Sequence, residues 1–185
     1  MIGFAYAMKY PENIKALAFY EAHIRPSVNW EMVSLPVQEL AAVLNSPDGG
    51  YDVIMNSNYY VNKIMTDGIL RRLSEEEMQQ YQMPFITPGS CKPIWQFLQD
   101  LPLGEEKSPV IKLIEEYSQK LKDSDIPKLL LYAMPGFITS METVRWGKDN
   151  FPNLRLAEVG EAYHFAQETC PDDFGKALAQ WYSSL

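Results

Sequence analysis

The sequence predicts an α/β fold in which a parallel sheet is interrupted by a long helical segment, and three observations support it. Short apolar runs of strand character lie near both ends of the chain, at residues 14–21, 128–133 and 153–159. Capped helical patterns separate these runs. Residues 27–125, between the first two runs, contain no convincing strand. A helical excursion from an α/β sheet is the arrangement that this order predicts.

Composition narrows the class of protein. The 185 residues are 46% hydrophobic and 22% charged, which is enough apolar material for one sizeable core. A net charge of -8 opposes binding to nucleic acid or to anionic lipid. No apolar run approaches the ~20 residues of a membrane span. The two cysteines form no C-x-x-C pair, so we expect thiols in the cytoplasm and neither a disulfide scaffold nor a zinc site.

The first core segment is predicted to comprise residues 1–26. Residues 3–9 are typical of the end of an apolar helix, which stops at Tyr10 because a residue before proline disfavours the helical conformation. The apolar run 14–21 follows and predicts a strand that ends at Glu21. This segment therefore contributes one helix and one strand to the core.

Residues 27–125 are predicted to form a helical cap over the sheet. Strong capping signals mark three helix starts, at Ser34, at the capping box of Ser74 and Glu77, and at Ser108. Residues 51–65 add a helical stretch that is rich in aromatic and amide side chains.

The α/β alternation returns over residues 126–185. The run that follows Pro127 is typical of a buried parallel strand. Further signals predict, in order, a helix from Ser140 to Lys148, a strand over 153–159 and a terminal helix from Pro171. Strand, helix, strand and helix thus close the core.

Two ionisable side chains stand at strand ends. Glu21 ends the first strand, and His164 follows the last one after a short loop. Reacting groups collect at the carboxyl edge of parallel sheets, so a carboxylate and an imidazole there suggest an acid–base pair. A triad also needs a nucleophile on a strand-to-helix turn, and no such turn precedes the helix near Met1.

Four stretches carry a family resemblance. They are F-Y-E-A-H-I-R-P, I-L-R-R-L-S-E-E-E-M-Q-Q-Y-Q-M-P-F, P-K-L-L-L-Y-A-M-P-G and Y-H-F-A-Q-E-T-C-P-D-D-F-G. Together and in this order they resemble the haloalkane dehalogenases of the α/β-hydrolase superfamily, which also includes coelenterazine luciferases of the sea-pansy type. The resemblance implies the carboxy-terminal part of an α/β-hydrolase with an inserted helical cap.

The resemblance also implies catalytic roles. Glu21 matches the family's acid and His164 its general base. Met134 stands where another branch carries its acid, which leaves Glu21 for that role. The family's nucleophile is an aspartate in a D-W-G turn, and that turn, its tryptophan and a halide-binding asparagine would all lie ahead of Met1. We therefore expect this chain to lack the nucleophile and to be inactive by itself.

Seven residues match positions that bind substrate in the family: Tyr60, Phe97, Leu98, Leu101, Phe137, Ile138 and Phe165. Tyr60 and Leu98 depart from the family's phenylalanine and proline, which bears on substrate preference. The other five could instead simply bury apolar area between cap and core. The loop after Glu21 is one residue longer than in many relatives, near His23, and a loop role and a pocket role for His23 both stay open.

Three functions fit these residues. The first is hydrolysis of a small apolar halogenated substrate with release of a halide ion, by a parent enzyme that needs no metal or organic cofactor. The second is oxidation of a coelenterazine-type luciferin on the same fold. The third is a truncated chain that at most binds. An exposed sheet edge at the first strand also predicts self-association.

Overall fold

A computed structural model describes residues 1–25, 35–48, 50–101 and 109–185 of the chain. The predicted caps at Ser34 and Ser108 lie outside these ranges, as does the predicted boundary between residues 26 and 27. Within them the sheet has three parallel strands in the order β1-β2-β3, namely β1 (Leu17–Tyr20), β2 (Lys128–Pro135) and β3 (Leu154–Ala162). The parallel sheet predicted from the sequence is therefore confirmed.

All three strands differ in length from the prediction, and β2 continues past residue 133 to Pro135. The strand β1 begins at Leu17 and not at residue 14, because Pro11–Asn13 form a 3-10 turn whose last hydrogen bond involves Ile14. The strand β3 continues past residue 159 to Ala162, which pairs with Pro135 at the end of β2. This longer pairing carries β3 almost to His164.

Nine α-helices pack around this sheet or lie between its strands in sequence, in the described part of the chain. They are α1 (Ile2–Lys9), α2 (Leu35–Leu44), α3 (Tyr51–Ser57), α4 (Glu75–Gln82), α5 (Lys92–Gln99), α6 (Pro109–Lys122), α7 (Met141–Asn150), α8 (Ala166–Thr169) and α9 (Pro171–Tyr182). No helix in the described ranges is long and apolar enough to cross a membrane.

Apolar clusters cover both faces of the sheet. Leu130 packs with residues of α1, α6 and α7 on one face, whereas Leu129 and Leu131 pack with residues of α8 and α9 on the other. Successive side chains of a strand point to opposite faces, so the uninterrupted apolar run of β2 serves both clusters. The helix α6 falls in the predicted cap range and nevertheless packs against α1 in the core.

In its described residues the segment between β1 and β2 is helical, as predicted, but its second helix is interrupted. The expected helical stretch over 51–65 is wrong as a continuous helix: α3 ends at Asn58, whose φ of 50° is left-handed, and a π-helical turn follows over Tyr60–Met65. Asparagine tolerates this conformation better than most residues. The predicted capping box is confirmed, because Ser74 and Glu77 each bind the other's backbone N–H.

Lys128 is a fully buried lysine at the amino end of β2. Its ammonium donates to the carbonyl oxygens of Ser124, Ile126 and Pro152, and burial lowers its pKa to about 8. Lys128 lies at the end of the sheet opposite His164. Among the described residues, these three carbonyls accept no hydrogen bond from a neighbouring strand, and the ammonium supplies their donor.

We expect Lys128→Met to lower the free energy of unfolding by on the order of 3 kcal/mol, because three buried carbonyls lose their donor. The native lysine loses its proton near pH 8, but the unfolded one keeps it to about 10.5. Folding of the wild type is therefore favoured further as pH rises through this window, and the difference from the variant should widen. Urea unfolding at pH 7 and 9.5 measures both effects. An equal loss in the exposed control Lys148→Met would contradict this role.

Candidate active site

Glu21 stands directly after β1 with its side chain turned into the core. Its backbone φ of 46° is left-handed, which is rare for a residue other than glycine. The carboxylate accepts backbone N–H bonds from Phe137 and Thr139, both at 3.1 Å, and from Ile138. These three donors belong to the loop that follows β2, so adjacent strand ends build this carboxylate site.

The loop after β2 is shaped to offer those donors. Gly136 has a φ of 73°, and a Cβ there would lie 2.8 Å from the carbonyl oxygen of Thr139 and 3.3 Å from Oε1 of Glu21. Only glycine fits this turn without strain. The Thr139 hydroxyl in turn accepts from the backbone N–H of Ala22, at 3.2 Å, so the two loops are joined in both directions.

His164 lies beside this carboxylate, as the sequence predicted. Its Nδ1 is 3.3 Å from Oε2 of Glu21. The side chain of Glu21 is 2% exposed and that of His164 is 27% exposed, so the carboxylate is enclosed while part of the imidazole stays accessible. A proton on Nδ1, directed at the carboxylate, leaves Nε2 as the free basic atom of the ring.

The backbone next to His164 has its own anchor in the core. The hydroxyl of Tyr20 donates to the carbonyl oxygen of Tyr163. Burial, and then the charge of Glu21, raise the pKa of Tyr20, so this phenol remains a donor. The last residue of β1 thus holds the loop that carries the imidazole.

Two aromatic rings flank the imidazole. The ring of Phe165 stands edge-on to it with centroids 4.7 Å apart, and the ring of Phe137 lies 5.5 Å away. Both come from positions that the sequence placed around a pocket. Ile138, a third such position, lies between Phe137 and Thr139 in the loop that binds Glu21 and is partly buried.

The remaining predicted pocket residues lie in the helical segment. Tyr60 belongs to two neighbouring apolar clusters, one with Leu98 and Leu101 and one with Phe165. Tyr60 therefore connects the helical segment to the loop of the imidazole, and burial raises the pKa of its phenol. Phe97, by contrast, is 49% exposed on α5. Binding of substrate by these residues remains a prediction.

His23 lies near the pair, within the loop after β1. Burial lowers its pKa to about 4, and the positive charges of the amino terminus and of His164 act in the same direction. Its carbonyl oxygen accepts from the hydroxyl of Tyr117, and the next carbonyl, of Ile24, accepts from Ser118 at 2.8 Å. The helix α6 thus fixes the loop, and His23 stays neutral at neutral pH.

Gly68 brings the helical segment onto the loop of His164, a contact that the sequence did not indicate. Its carbonyl oxygen accepts from the N–H of Phe165 at 3.0 Å. A Cβ on Gly68 would lie 3.0 Å from two ring atoms of Phe165 and 3.2 Å from Cβ of His164. A side chain at this position would crowd Phe165 and His164, so glycine suits this close approach.

We expect Gly68→Ala to lower the free energy of unfolding by about 1–3 kcal/mol, since the added methyl overpacks a buried contact. The matched control is Gly175→Ala in α9, where a Cβ meets nothing within 4 Å. That change should raise stability by up to ~1 kcal/mol, because alanine favours helix more than glycine. Urea unfolding of both variants tests the contrast, and shifts of the same sign would contradict it.

Two known bacterial proteins resemble the chain over nearly its whole length. A haloalkane dehalogenase of Agrobacterium fabrum is 30% identical over 185 residues, which cover 99% of this chain and 60% of that protein. A haloalkane dehalogenase of Mesorhizobium japonicum is 30% identical and is covered to 59% of its length. No protein-family model matches the chain.

Solved structures give the same result. The haloalkane dehalogenase DatA from Agrobacterium tumefaciens superposes with a TM-score of 0.90 at 29% identity, over 98% of this chain and 62% of that one. The chain is a homologue of the haloalkane dehalogenases. The dehalogenase DbeA from Bradyrhizobium elkanii likewise superposes with a TM-score of 0.90, at 29% identity.

The homology supports the predicted fold class, the carboxy-terminal part of an α/β-hydrolase. The chain spans about three fifths of the length of these dehalogenase homologues, 60% of the Agrobacterium fabrum protein. The pairing of Glu21 with His164 was accessible from the sequence because both residues end strands. Gly68 and Tyr20 were not, since neither carries a motif that announces a long-range contact.

Proposed function

We propose that this chain provides the acid, the base and the cap of an enzyme that hydrolyses carbon–halogen bonds through an aspartyl ester. The observation that carries the proposal is the 3.3 Å contact between Nδ1 of His164 and Oε2 of Glu21. A partly accessible imidazole on a buried carboxylate is the arrangement that general-base catalysis requires. The nucleophilic aspartate is proposed to come from sequence outside the 185 residues.

The first half of the reaction needs no proton transfer. An aspartate oxygen attacks the carbon that bears the halogen, the C–O bond forms as the carbon–halogen bond breaks, and the electron pair leaves with the halide ion. Phe137 and Phe165 flank the imidazole with apolar surface, which suits a small halogenated alkane. The product of this half is an alkyl ester of the aspartate.

The second half depends on His164. Its Nε2 takes one proton from water while the oxygen attacks the carbonyl carbon of the ester. The other hydrogen of that water leaves on the alcohol as the carboxylate is regenerated, and the imidazolium then releases its proton to solvent. Glu21 holds the Nδ1 proton and stabilises the imidazolium that forms. Three backbone N–H groups on Glu21 keep that carboxylate in place through the cycle.

The proposal extends to partners and location. The ligands are a small apolar haloalkane and the halide ion, and neither nucleic acid nor membrane is a partner at a net charge of -8. Cys91 and Cys170 are both unpaired thiols, in keeping with a cytoplasmic location. Of the described strands β1 pairs only with β2, and its other edge is proposed to associate with another strand.

The test uses two proteins, the chain by itself and a fusion in which the uncovered part of the Agrobacterium fabrum dehalogenase precedes Met1. Both are incubated with a brominated alkane while bromide is measured. Bromide release by the fusion and not by the chain supports the proposal. Turnover by the chain that His164→Gln abolishes would place a nucleophile inside the 185 residues and contradict it.

The other functions are outcomes of the same experiment. Light from coelenterazine without bromide release would assign the luciferase reaction. A fusion that folds with neither activity would leave binding as the role of the chain.

A further inference from the structure

Arg71 joins the helical segment to the helix that follows His164. Its guanidinium binds both carboxylate oxygens of Glu77, at 2.7 and 3.0 Å, and reaches Oε2 of Glu168 at 3.0 Å. Its Nε also donates to the backbone carbonyl of Glu168. Glu77 belongs to α4 and Glu168 to α8, so one side chain bridges two helices that are far apart in sequence.

Tyr81 and Leu70 complete this contact. The hydroxyl of Tyr81, in α4, donates to the other carboxylate oxygen of Glu168. The backbone N–H of Leu70 donates to the hydroxyl of Thr169 at 3.2 Å. Every polar atom of the Glu168 side chain is thereby bound by the helical segment. We call Arg71, Glu77, Tyr81 and Glu168 the arginine cluster.

Hydrogen bonds to charged groups shift the pKa values of two members of the arginine cluster. Its hydrogen bonds with Arg71 lower the pKa of Glu77 to about 2, and the hydrogen bond with Glu168 raises the pKa of Tyr81 to about 12. Glu77 therefore stays ionised and Tyr81 stays protonated across the neutral range. Bidentate contact between guanidinium and carboxylate also fixes direction, which a lysine does not provide.

The cluster lies four residues from the imidazole. Glu168 lies in α8, a single helical turn that begins two residues after His164, and the intervening Phe165 donates its N–H to Gly68. On the other side, the core contacts the loop of His164 through the Tyr20 hydroxyl, through Glu21 and through the ring of Phe137. Two opposed sets of contacts, one from the core and one from the helical segment, thus set the position of the ring.

We propose that Arg71 is a positioning residue, which holds the loop of His164 through Glu168 and so keeps the imidazole on Glu21. In the described part of the chain, Arg71 binds the side chains of Glu77 and Glu168 and not those of His164 or Glu21. Its effect on the imidazole therefore passes through the backbone from residue 165 to residue 168. The inference deepens the proposed function, since it assigns to the cap a role in the geometry of the base. The hydrogen bond itself can be observed without any turnover.

The experiment follows the Nδ1 proton of His164 by low-field proton NMR in the 185-residue chain. The wild type and Arg72→Gln should show its resonance, which His164→Gln assigns by removing it. Arg71→Gln and Glu168→Gln should lose it through exchange broadening while their circular dichroism stays that of a folded protein. Arg72 is a matched control, because its side chain is exposed next to Arg71.

Carbethoxylation of the two histidines gives a second, internally referenced measurement. His23 is neutral at pH 7, partly buried and outside the arginine cluster, so its rate of modification reports general loosening of the fold. We expect Arg71→Gln to raise the ratio of the His164 rate to the His23 rate at least about fivefold, as in a local opening. Equal increases at both histidines would show a merely structural role and overturn the proposal.

Two further results would also overturn it. In one, Arg71→Gln and Glu168→Gln both keep the Nδ1 resonance of His164 and the wild-type ratio of the His164 to the His23 modification rate. The other is a wild type without the resonance, which would contradict the hydrogen bond between His164 and Glu21. Failure of the fusion to release bromide, with the NMR results as expected, would instead count against the proposed reaction alone.

Discussion

In the fusion protein, His164→Gln is expected to release about one bromide ion per protein molecule and then stop, with steady-state turnover at least ~100-fold below the wild type. The reason is the division of labour between the two half-reactions. Alkylation of the aspartate needs no base, whereas hydrolysis of the ester needs Nε2 to accept a proton from water. Glutamine has no group that can do so.

Two measurements check this result. Bromide release over time should show a burst without a following steady rate, and intact mass should increase by one alkyl group. His23→Gln serves as the control for loss of an imidazole in the same region, since the proposed mechanism gives His23 no proton to transfer. Sustained turnover by His164→Gln would show that another group acts as the base.

The second large effect is expected at Glu21. In Glu21→Gln an amide NH2 group, which donates hydrogen bonds, replaces one carboxylate oxygen. Both oxygens of the native carboxylate accept from backbone N–H groups of residues 137–139, so the new NH2 group faces a donor. A buried donor that faces another donor loses its hydrogen bond and keeps the cost of its desolvation. We expect the free energy of unfolding to fall by about 2–4 kcal/mol and turnover in the fusion to fall at least about 100-fold.

Urea unfolding and bromide release test the two effects separately. The control is Glu142→Gln. This change removes an ion pair between Glu142 and Arg25 in which the Glu142 side chain is 45% exposed. Exposed pairs contribute about 1 kcal/mol or less, so this variant should remain close to the wild type in stability and in turnover. If the free energy of unfolding of Glu21→Gln equals that of the wild type, the backbone donors do not require a carboxylate at this position, and the role given to Glu21 is wrong.

Several elements could be predicted from the sequence because their causes are local. The capping box at Ser74, the helix start at Ser140 and the strand after Pro127 each follow from residues within one or two turns of chain. The error at Asn58 was also local in origin. A helical period continues through residues 51–65, yet one left-handed residue is enough to divide the helix.

The sequence by itself determined which groups were available to the site: one glutamate and one histidine at the ends of strands, and a glycine after a proline in the loop between them. Tertiary structure alone decided what these groups bind. The N–H donors of Glu21 lie 116 to 118 residues away in the chain, and Arg71 meets Glu168 across 97 residues. Local preferences depend on neighbouring residues, whereas these contacts exist only because packing of the helical segment and of parallel strands brings distant loops to one edge of the sheet.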